Sequence, residues 1–466
     1  MILDALHLGV ADIDGEPIAP LAELNGRLLE ARQQALEIGL QETLRLLFRL
    51  NRSALTLLER QRALQSFSDE FRHYAKALSP QSPLPPLFLR LCAELAVGFK
   101  RLLLQIIQGR SPSRPHLAWC LYMALYFTAQ CLLRHYQLYQ EPAPELWRYS
   151  HLLYWIGEQQ ACLDEPVAAA FQPTPASTPG GLYQQVLLLA LSNPFHLAEE
   201  ECLLLFSALA PLATLPQVMP WAVDDDSGAP VIDLTLAQPS LVPGQPGNGN
   251  PAYLRRLELG ALLIAVNDPA PLRSGPEHHL LERVKHHWLG REQRRHPRSE
   301  RAADCNLLIG LQAIHAHLLE QRPVQCAARL VDSSAGGARL LCPSGLGNQF
   351  PVGQLVLLLD GAPNLVMVRW RHLNAEGLHL GLHAMQGLPR PVWLRRTPSG
   401  QTHPGLLQST ASENGWEHGL WLARDAFAEG EKLWLQLSGM NSQTEIQLSP
   451  ANLGSTTVSR HPLKLR

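Results

Sequence analysis

A run of short apolar stretches between Ala302 and Met385 constrains the fold more than any other feature of the chain. In the last of these, Leu378 to Met385, apolar residues alternate with His, Gly and His. A period of two is typical of a strand with one buried face. Glycine-rich turns separate the runs, and closure of short strands into a barrel removes exposed edges, so we expect a six-stranded antiparallel β-barrel. The other strand-like runs are residues 304–309, 324–331, 338–342, 354–359 and 365–371.

Two short motifs lie in and just before this region. Arg294 and Arg298 form R-x-x-x-R, and Asp332, Ser334 and Gly337 form D-x-S-x-x-G. A guanidinium can grip a phosphate or the O6/N7 edge of a guanine with two donors. A carboxylate accepts from the N1 and N2 hydrogens of guanine, a serine adds a small hydroxyl, and glycine permits close backbone approach. Together the motifs predict a site for a phosphate-bearing purine ligand.

These motifs, in this order, resemble the two signature motifs of the PilZ domain, the bacterial receptor for cyclic di-GMP. The segments "VRWRH" and "LHLGLHAMQG", residues 368–372 and 378–387, also resemble the later strands of PilZ domains. The resemblance implies a PilZ-type barrel in a cytoplasmic bacterial signalling protein, with cyclic di-GMP as ligand and no metal. It also implies a ligand site built from Arg294, Arg295, Arg298, Asp332, Ser334 and Gly337.

The spacing of the two motifs departs from the family pattern. Thirty-four positions separate Arg298 from Asp332, more than PilZ domains usually show. The surplus includes Gly310 to Glu320, "GLQAIHAHLLE", which we interpret as an inserted helical turn or two. Two outcomes stay open: the insert sits on the barrel without consequence, or it alters how the arginine loop folds over the ligand.

Basic residues cluster around the first motif. Between Arg283 and Arg301 seven basic residues face two acids, a net charge of +5, whereas the whole chain has a net charge of −2. Such a patch attracts a dianionic ligand. A solvated basic surface around a linker is the alternative interpretation.

Helical periodicity dominates residues 1–215, for which we predict an all-α domain arranged as a bundle or short solenoid. No repeat of fixed period is present. The segment "LYQQVLLLALSNPFHL", Leu182 to Leu197, resembles helical regions that precede PilZ domains in some proteobacterial proteins. The predicted helices lie within residues 21–50, 53–78, 87–108, 117–140, 144–163, 182–191 and 198–212.

Residues 216–290 read as a mixed connector. A strand, an acidic turn at Asp224 to Asp226, a strand and a Pro/Gly-rich linker precede two predicted helices, Ala252 to Val266 and Pro276 to Leu289. His279, Glu282 and His286 share one face of the second helix at a metal-ligand spacing, but no H-E-x-x-H or third ligand group accompanies them. We therefore predict no metal site, and a solvated turn at the three aspartates.

The rest of the chain is β-rich. The barrel is assigned to residues 291–388, and residues 389–466 contain five strand-like runs typical of a second small barrel or sandwich. The predicted fold class is therefore α+β multidomain: an all-α array, a six-stranded antiparallel barrel and a small C-terminal β-rich domain.

Composition excludes several classes of protein. Charged residues make up 17% of the chain, which argues against a disordered tail and a globally basic nucleic-acid binder. The eight cysteines are scattered inside apolar runs without C-x-x-C, as in reduced core residues. The N-terminus carries acids where a signal peptide needs basic residues, and the longest apolar run, Leu117 to Leu133, is interrupted by Thr128 and Gln130. We predict no membrane insertion.

No nucleophile elbow, phosphate-binding loop, dinucleotide fingerprint or metal tetrad is present, so no catalytic residues are assigned. The favoured hypothesis is a non-enzymatic cyclic di-GMP receptor that signals to a protein partner through its helical domain. The alternative is a PilZ-like interaction adaptor that no longer binds nucleotide. Direct nucleic-acid binding is not expected.

Overall fold

The chain divides into two compact units, which are described separately. The first comprises residues 1–138, 142–194 and 200–292, and the second comprises residues 139–141, 195–199 and 293–466. In this computed structural model the described residues are 20–78, 84–109, 113–167, 177–221, 228–240, 250–268, 275–289, 297–320, 326–359, 363–412 and 415–463, without the side chains of 301 and 412.

The first unit is mainly helical, as predicted. Several helices begin with a proline in their first turn, where its missing N–H costs nothing, and Thr56 and Glu59 form a capping box at another. The helices are α1 (Leu21–Arg32), α2 (Leu36–Arg52), α3 (Leu57–Ala77), α4 (Pro86–Gln108), α5 (Arg114–Gln137), α6 (Pro144–Gln159), α7 (Pro179–Leu191), α8 (Glu201–Leu209), α9 (Gly260–Asn267) and α10 (Pro276–Trp288).

Helix α5 forms the centre of this unit. By length and composition it is apolar enough to cross a membrane, but 89% of its most apolar window is buried inside the protein. Phe127 stacks on Phe99 of α4 with ring centroids 5.4 Å apart. Most of this helix is therefore surrounded by protein.

A three-stranded sheet in the first unit corrects one prediction. Its strands are β1 (Gln217–Pro220), β2 (Val231–Asp233) and β3 (Leu254–Glu258), in the order β1-β3-β2. Residues 254–258 therefore form the central strand of this sheet. The predicted helix Ala252 to Val266 is wrong in its first part, and only the part that belongs to α9 is helical. Pairing on both sides outweighs a weak helical period, and the buried Arg255 side chain donates to Glu158 at 2.6 and 2.9 Å.

The second unit contains the predicted barrel. Six strands close in the order β4-β5-β6-β9-β8-β7, and every neighbouring pair is antiparallel. Alternate side chains, such as Leu307, Leu340, Val356 and Leu380, fill the interior. The six-stranded antiparallel barrel is confirmed, with strands β4 (Ser299–Ile309), β5 (Cys326–Ser334), β6 (Gly337–Cys342), β7 (Leu355–Leu359), β8 (Asn364–Asn374) and β9 (Gly377–Ala384).

The C-terminal strands form one seven-stranded sheet rather than the second barrel or sandwich that we predicted. Its order is β14-β13-β10-β11-β12-β16-β15. Strands β15 and β16, which the sequence analysis omitted, extend one edge of this sheet. The strands are β10 (Pro389–Arg395), β11 (His403–Ser412), β12 (Gly415–Ala423), β13 (Lys432–Leu437), β14 (Thr444–Gln447), β15 (Leu453–Gly454) and β16 (Val458–Leu463).

The predicted insert is helix α11 (Leu311–Glu320), between β4 and β5. It packs between the barrel and the C-terminal sheet, where Leu311 and Ile314 join Leu357 of β7 and Trp421 of β12 in one apolar cluster. His315 is held there by the carbonyl of Val392 at 3.0 Å from Nε2. The insert therefore serves the junction with the C-terminal sheet.

Two short segments that interrupt the helical sequence belong to the second unit. Tyr139 accepts a hydrogen bond at its carbonyl from the N–H of Leu373 at 2.7 Å. Arg371 lies over the Tyr139 ring, 4.1 Å from its centroid. Phe195 packs against His372, with ring centroids 4.9 Å apart, so a residue from each segment contacts the end of β8.

Candidate functional site

Arg298 and Asp332, one residue from each predicted motif, lie in contact. Nη1 of Arg298 donates to both carboxylate oxygens of Asp332, at 3.0 Å to Oδ1 and 3.3 Å to Oδ2. The Arg298 side chain is 35% exposed and that of Asp332 13% exposed. The structure therefore brings residues that are 34 positions apart to one point on the barrel surface.

The turn between β5 and β6 accounts for Ser334 and Gly337. The Ser334 hydroxyl accepts from the N–H of Gly336 at 3.3 Å and donates to the carbonyl of Gly337 at 3.4 Å, so it shapes the turn. A Cβ at Gly337 would lie 1.9 Å from the carbonyl oxygen of Leu382 on β9. Gly337 is therefore required by the close approach of β6 to β9, whatever its role toward a ligand.

A register shift in β5 decides which way Asp332 points. Cys326, Ala328 and Leu330 face the barrel core, and a strict period of two would turn Asp332 inward as well. The pairing with β6 shifts between Leu330 and Asp332. The extra residue, Val331, reverses the alternation and places Asp332 on the outer face.

Asp332 belongs to a row of residues that are paired across the outer face of the barrel. Asp332 pairs with Arg339 on β6, Arg339 with Gly381 on β9, and Gly381 with Trp370 on β8. On the other side Asp332 pairs with Glu300 of β4. Residues directly opposite in antiparallel strands share a face, so we call these five residues the outer row.

Trp370 enters the outer row through a second register shift. Val366 and Val368 face the core, and the pairing of β8 with β9 shifts between Val368 and Trp370. The indole then covers Gly381, where a Cβ would lie 1.8 Å from its Nε1. A glycine at position 381 gives the aromatic ring room to lie across the sheet.

Arg339 is flanked by a histidine from the neighbouring strand. Nη2 of Arg339 lies 3.2 Å from Nδ1 of His379, whose Nε2 lies 3.2 Å from Oε2 of Glu376. Burial, and after it the positive charge of Arg339, lowers the pKa of His379. The imidazole is therefore kept neutral, with Nδ1 as the acceptor toward Arg339.

Other parts of the predicted site are only partly described. Arg294 and Arg295 lie outside the described residues, as do Asp224 to Asp226. Of the predicted basic patch, Arg283 is paired with Glu201 and Lys285 with Glu282. These two side chains are therefore partly neutralised and contribute less free charge than the sequence count implied.

No metal-ligand geometry appears among the side chains that the structure describes, taking groups of three or more His, Cys, Asp or Glu. All eight cysteines are buried and free of disulfides, as predicted. A surface hollow of about 420 Å³ on β4, β5 and β6 is lined by Asp304, Asn306 and Arg329 among others, and by none of the four predicted site residues that the structure describes.

Sequence reasoning missed Arg339 and Trp370 as members of the outer row that contains Asp332. The D-x-S-x-x-G motif stops at Gly337, two residues before Arg339, and an intact alternation would have turned Trp370 inward with Val366 and Val368. The only signal in the sequence was Gly381 in "HLGLH", a glycine inside a strand, which marks a place where another group approaches closely.

Comparison with known proteins adds an observation from the helical part of the chain. Residues 28–220 match a family described as the N-terminal domain of the cyclic-di-GMP receptor FimW. No match was found among curated proteins or among solved structures. The matched range ends before the barrel, so it is independent of the motifs around Arg298 and Asp332. Over its helical region the chain is similar to the N-terminal domain of a cyclic di-GMP receptor family, which confirms the resemblance to such receptors.

Proposed function

We propose that this protein is a non-enzymatic, cytoplasmic bacterial receptor that binds cyclic di-GMP on the outer face of the barrel. The observation that carries the proposal is the contact between Arg298 and Asp332, which joins the two ligand motifs on one surface. The match of the helical region to a receptor family supports the same ligand from a separate part of the chain.

The chemistry of the two side chains suits a guanine nucleotide. The Asp332 carboxylate accepts from guanine N1–H and N2–H, while the Arg298 guanidinium binds a phosphate or a guanine O6/N7 edge. The two groups contact each other through Nη1 of Arg298. A pair as exposed as this one is worth at most about 1 kcal/mol, so a ligand exchanges it at little cost. Arg294 and Arg295 are expected to add further contacts.

Calorimetric titration with cyclic di-GMP tests the proposal. Arg298→Ala and Asp332→Ala should each weaken binding by about ten- to a hundredfold, which corresponds to roughly 1 to 3 kcal/mol. Arg329→Ala is the matched control, because it removes the same charge from an exposed position on β5 outside the outer row. This variant should retain affinity within about threefold, since it removes an exposed charge that is screened by solvent and lies outside the outer row.

Absence of heat with the wild-type protein, together with unchanged melting on adding nucleotide, would contradict the receptor proposal. The same holds if all three variants bind as the wild type does. In that case the adaptor hypothesis, in which the barrel serves only protein contacts, would replace it.

We further propose that the helical region carries the output to a protein partner. Cross-linking in bacterial lysate, with and without added cyclic di-GMP, tests this step with the full chain. A partner linked to residues 28–220 should appear only with ligand in the wild type, and should lose that dependence in Asp332→Ala. If the wild type and Asp332→Ala capture the partner equally with and without cyclic di-GMP, partner binding does not depend on the nucleotide.

A further inference from the structure

We propose that Arg339 reads the O6/N7 edge of the guanine whose N1 and N2 groups Asp332 binds, and that His379 positions it. The inference rests on the proposed function and deepens it. It makes Arg339 the residue that distinguishes guanine from adenine, a role that neither sequence motif assigns.

The first step is the register of β5 and β6. Asp332 and Arg339 are directly opposite and share the outer face. Side chains opposite each other on antiparallel strands have Cβ atoms about 5 Å apart. The hydrogen-bonding edge of a guanine presents N2, N1 and O6 side by side, with N7 next to O6. A carboxylate on N1 and N2 therefore leaves O6 and N7 for a donor group beside it.

The second step is the state of the Arg339 guanidinium. Its Nε is buried and has no hydrogen-bond partner among the described residues. The carboxylate opposite it is bonded by Arg298 instead. The protein therefore leaves this guanidinium incompletely paired, and its terminal nitrogens keep hydrogens to donate to a ligand that supplies two adjacent acceptors. The O6 and N7 atoms of guanine are such a pair, and they accept from an arginine in a bidentate arrangement.

The third step is how the side chain is held. His379 is almost fully buried, and its Nδ1 lies 3.2 Å from Nη2 of Arg339. Facing an N–H donor, Nδ1 must accept, so the ring proton resides on Nε2, 3.2 Å from Oε2 of Glu376. Holding one nitrogen of the fork in this way fixes its plane. His379 is therefore a positioning residue, because it acts through Arg339.

Adenine is rejected by the same arrangement. It carries an amino group where guanine carries O6, so its N6 hydrogens would face the donors of Arg339 without an acceptor between them. A site that leaves buried polar groups unpaired discriminates strongly against the wrong ligand. The wild-type protein should therefore bind cyclic di-GMP much more tightly than cyclic di-AMP, which carries the same phosphates.

Calorimetry with both dinucleotides measures this preference directly. Arg339→Ala should weaken cyclic di-GMP binding about tenfold or more and should lower the preference over cyclic di-AMP by a similar factor. Arg339→Lys keeps the charge and the stem but loses the fork, so it should lose most of the same preference. Arg329→Ala, the charge-matched control, should keep the wild-type preference.

The positioning role has its own readout. His379→Leu removes the acceptor and should reproduce part of the lost preference, whereas His379→Gln offers an amide oxygen and should restore much of it. A purely structural role would lower stability in both variants without changing the ratio of the two affinities. Thermal melting of every variant separates these effects.

The failure of this inference differs from failure of the proposed function. If the wild type binds cyclic di-GMP and Arg298→Ala weakens it, but Arg339→Ala and Arg339→Lys keep the wild-type preference, Arg339 does not read the base. The inference would likewise be overturned if the Arg339 variants lost the same factor of affinity for cyclic di-GMP and for cyclic di-AMP. If the wild type binds neither dinucleotide, the receptor proposal itself falls.

Discussion

Two regions of the barrel's outer surface, one on β7 and one on β5 and β6, differ in what covers them and in what their residues do. On β7, Leu355 and Leu357 face outward and are fully buried with Trp421 of the C-terminal sheet and with α11. On β5 and β6, the outward positions carry Asp332 and Arg339 and remain partly exposed. One face is therefore a structural joint, and the other is free to hold a polar ligand.

This difference explains the sequence pattern of the strands. "LVLLL" in β7 is apolar at every position because both of its faces are buried, the inner one by Val356 and Leu358. In "HLGLH" of β9, Leu380 and Leu382 face the core, while the outward positions are His379, which is buried, Gly381, which the Trp370 indole covers, and His383. The strand at the joint, β7, has no alternation of apolar and polar residues. The strands of the candidate ligand face keep that alternation, with charged or small residues at the outward positions.

The largest expected effect is on the joint. Leu357→Ala should lower the free energy of unfolding by about 2 to 5 kcal/mol, because it opens a cavity between barrel, α11 and C-terminal sheet. Chemical denaturation measures it. Leu341→Ala, on the opposite outer face and only partly buried, is the matched control and should cost clearly less. Similar losses in both variants would mean that the faces do not differ as described.

On the candidate ligand face, a side chain added at Gly337 should lower the stability of the protein. Gly337→Ala places a Cβ 1.9 Å from the Leu382 carbonyl, which cannot move without displacing β9. Overpacking of this kind costs about 1 to 3 kcal/mol, and we expect weaker cyclic di-GMP binding with it. Gly345→Ala is the control, since nothing lies within 4 Å of its added Cβ. A Gly337→Ala protein as stable as the control would refute the close approach of β6 and β9.

Lowering the pH should reduce the stability of the folded protein through His379 on the candidate ligand face. Its pKa is lowered by burial and then by Arg339, so the folded protein resists protonation while the unfolded chain takes up a proton below about pH 6.5. Stability from this residue is therefore present above that pH and is lost as the pH falls. Other charged or titratable groups facing it are Glu376 and His372, whose ring centroid is 6.4 Å away.

Denaturation curves at pH 7.5 and pH 5.5 measure this effect. From pH 7.5 to pH 5.5, the free energy of unfolding should fall more in the wild type than in His379→Gln. Affinity for cyclic di-GMP should also fall in acid, because a protonated Nδ1 no longer accepts from Arg339. Identical pH profiles for the two proteins would show that His379 does not respond to pH in this range.

The smallest expected effect on stability is that of Arg298→Ala. The contact with Asp332 is partly exposed, so its removal should change the free energy of unfolding by less than about 1 kcal/mol. A loss as large as that of Leu357→Ala, measured in the same denaturant, would make this pair a structural element rather than an exchangeable contact.

Much of the barrel was predictable, because apolar residues that face its core recur with a period of two in strands such as β9. The other residues of the outer row were harder to predict. Two register shifts, at Val331 and between Val368 and Trp370, reverse the alternation, and their positions depend on pairing with strands distant in sequence. The strand at Leu254–Glu258 escaped prediction for the same reason, since β1 and β2 supply its hydrogen bonds.

Hydrogen exchange of the full chain with and without saturating cyclic di-GMP tests the central claim most directly. We predict that protection increases in β5, β6 and β9 around Asp332, Arg339 and Gly381, while β7 and α11 at the joint are unchanged. In Asp332→Ala the added protection should disappear at the same nucleotide concentration. Protection confined to residues 28–220, with β5, β6 and β9 unaffected, would contradict the account by placing the ligand in the helical region.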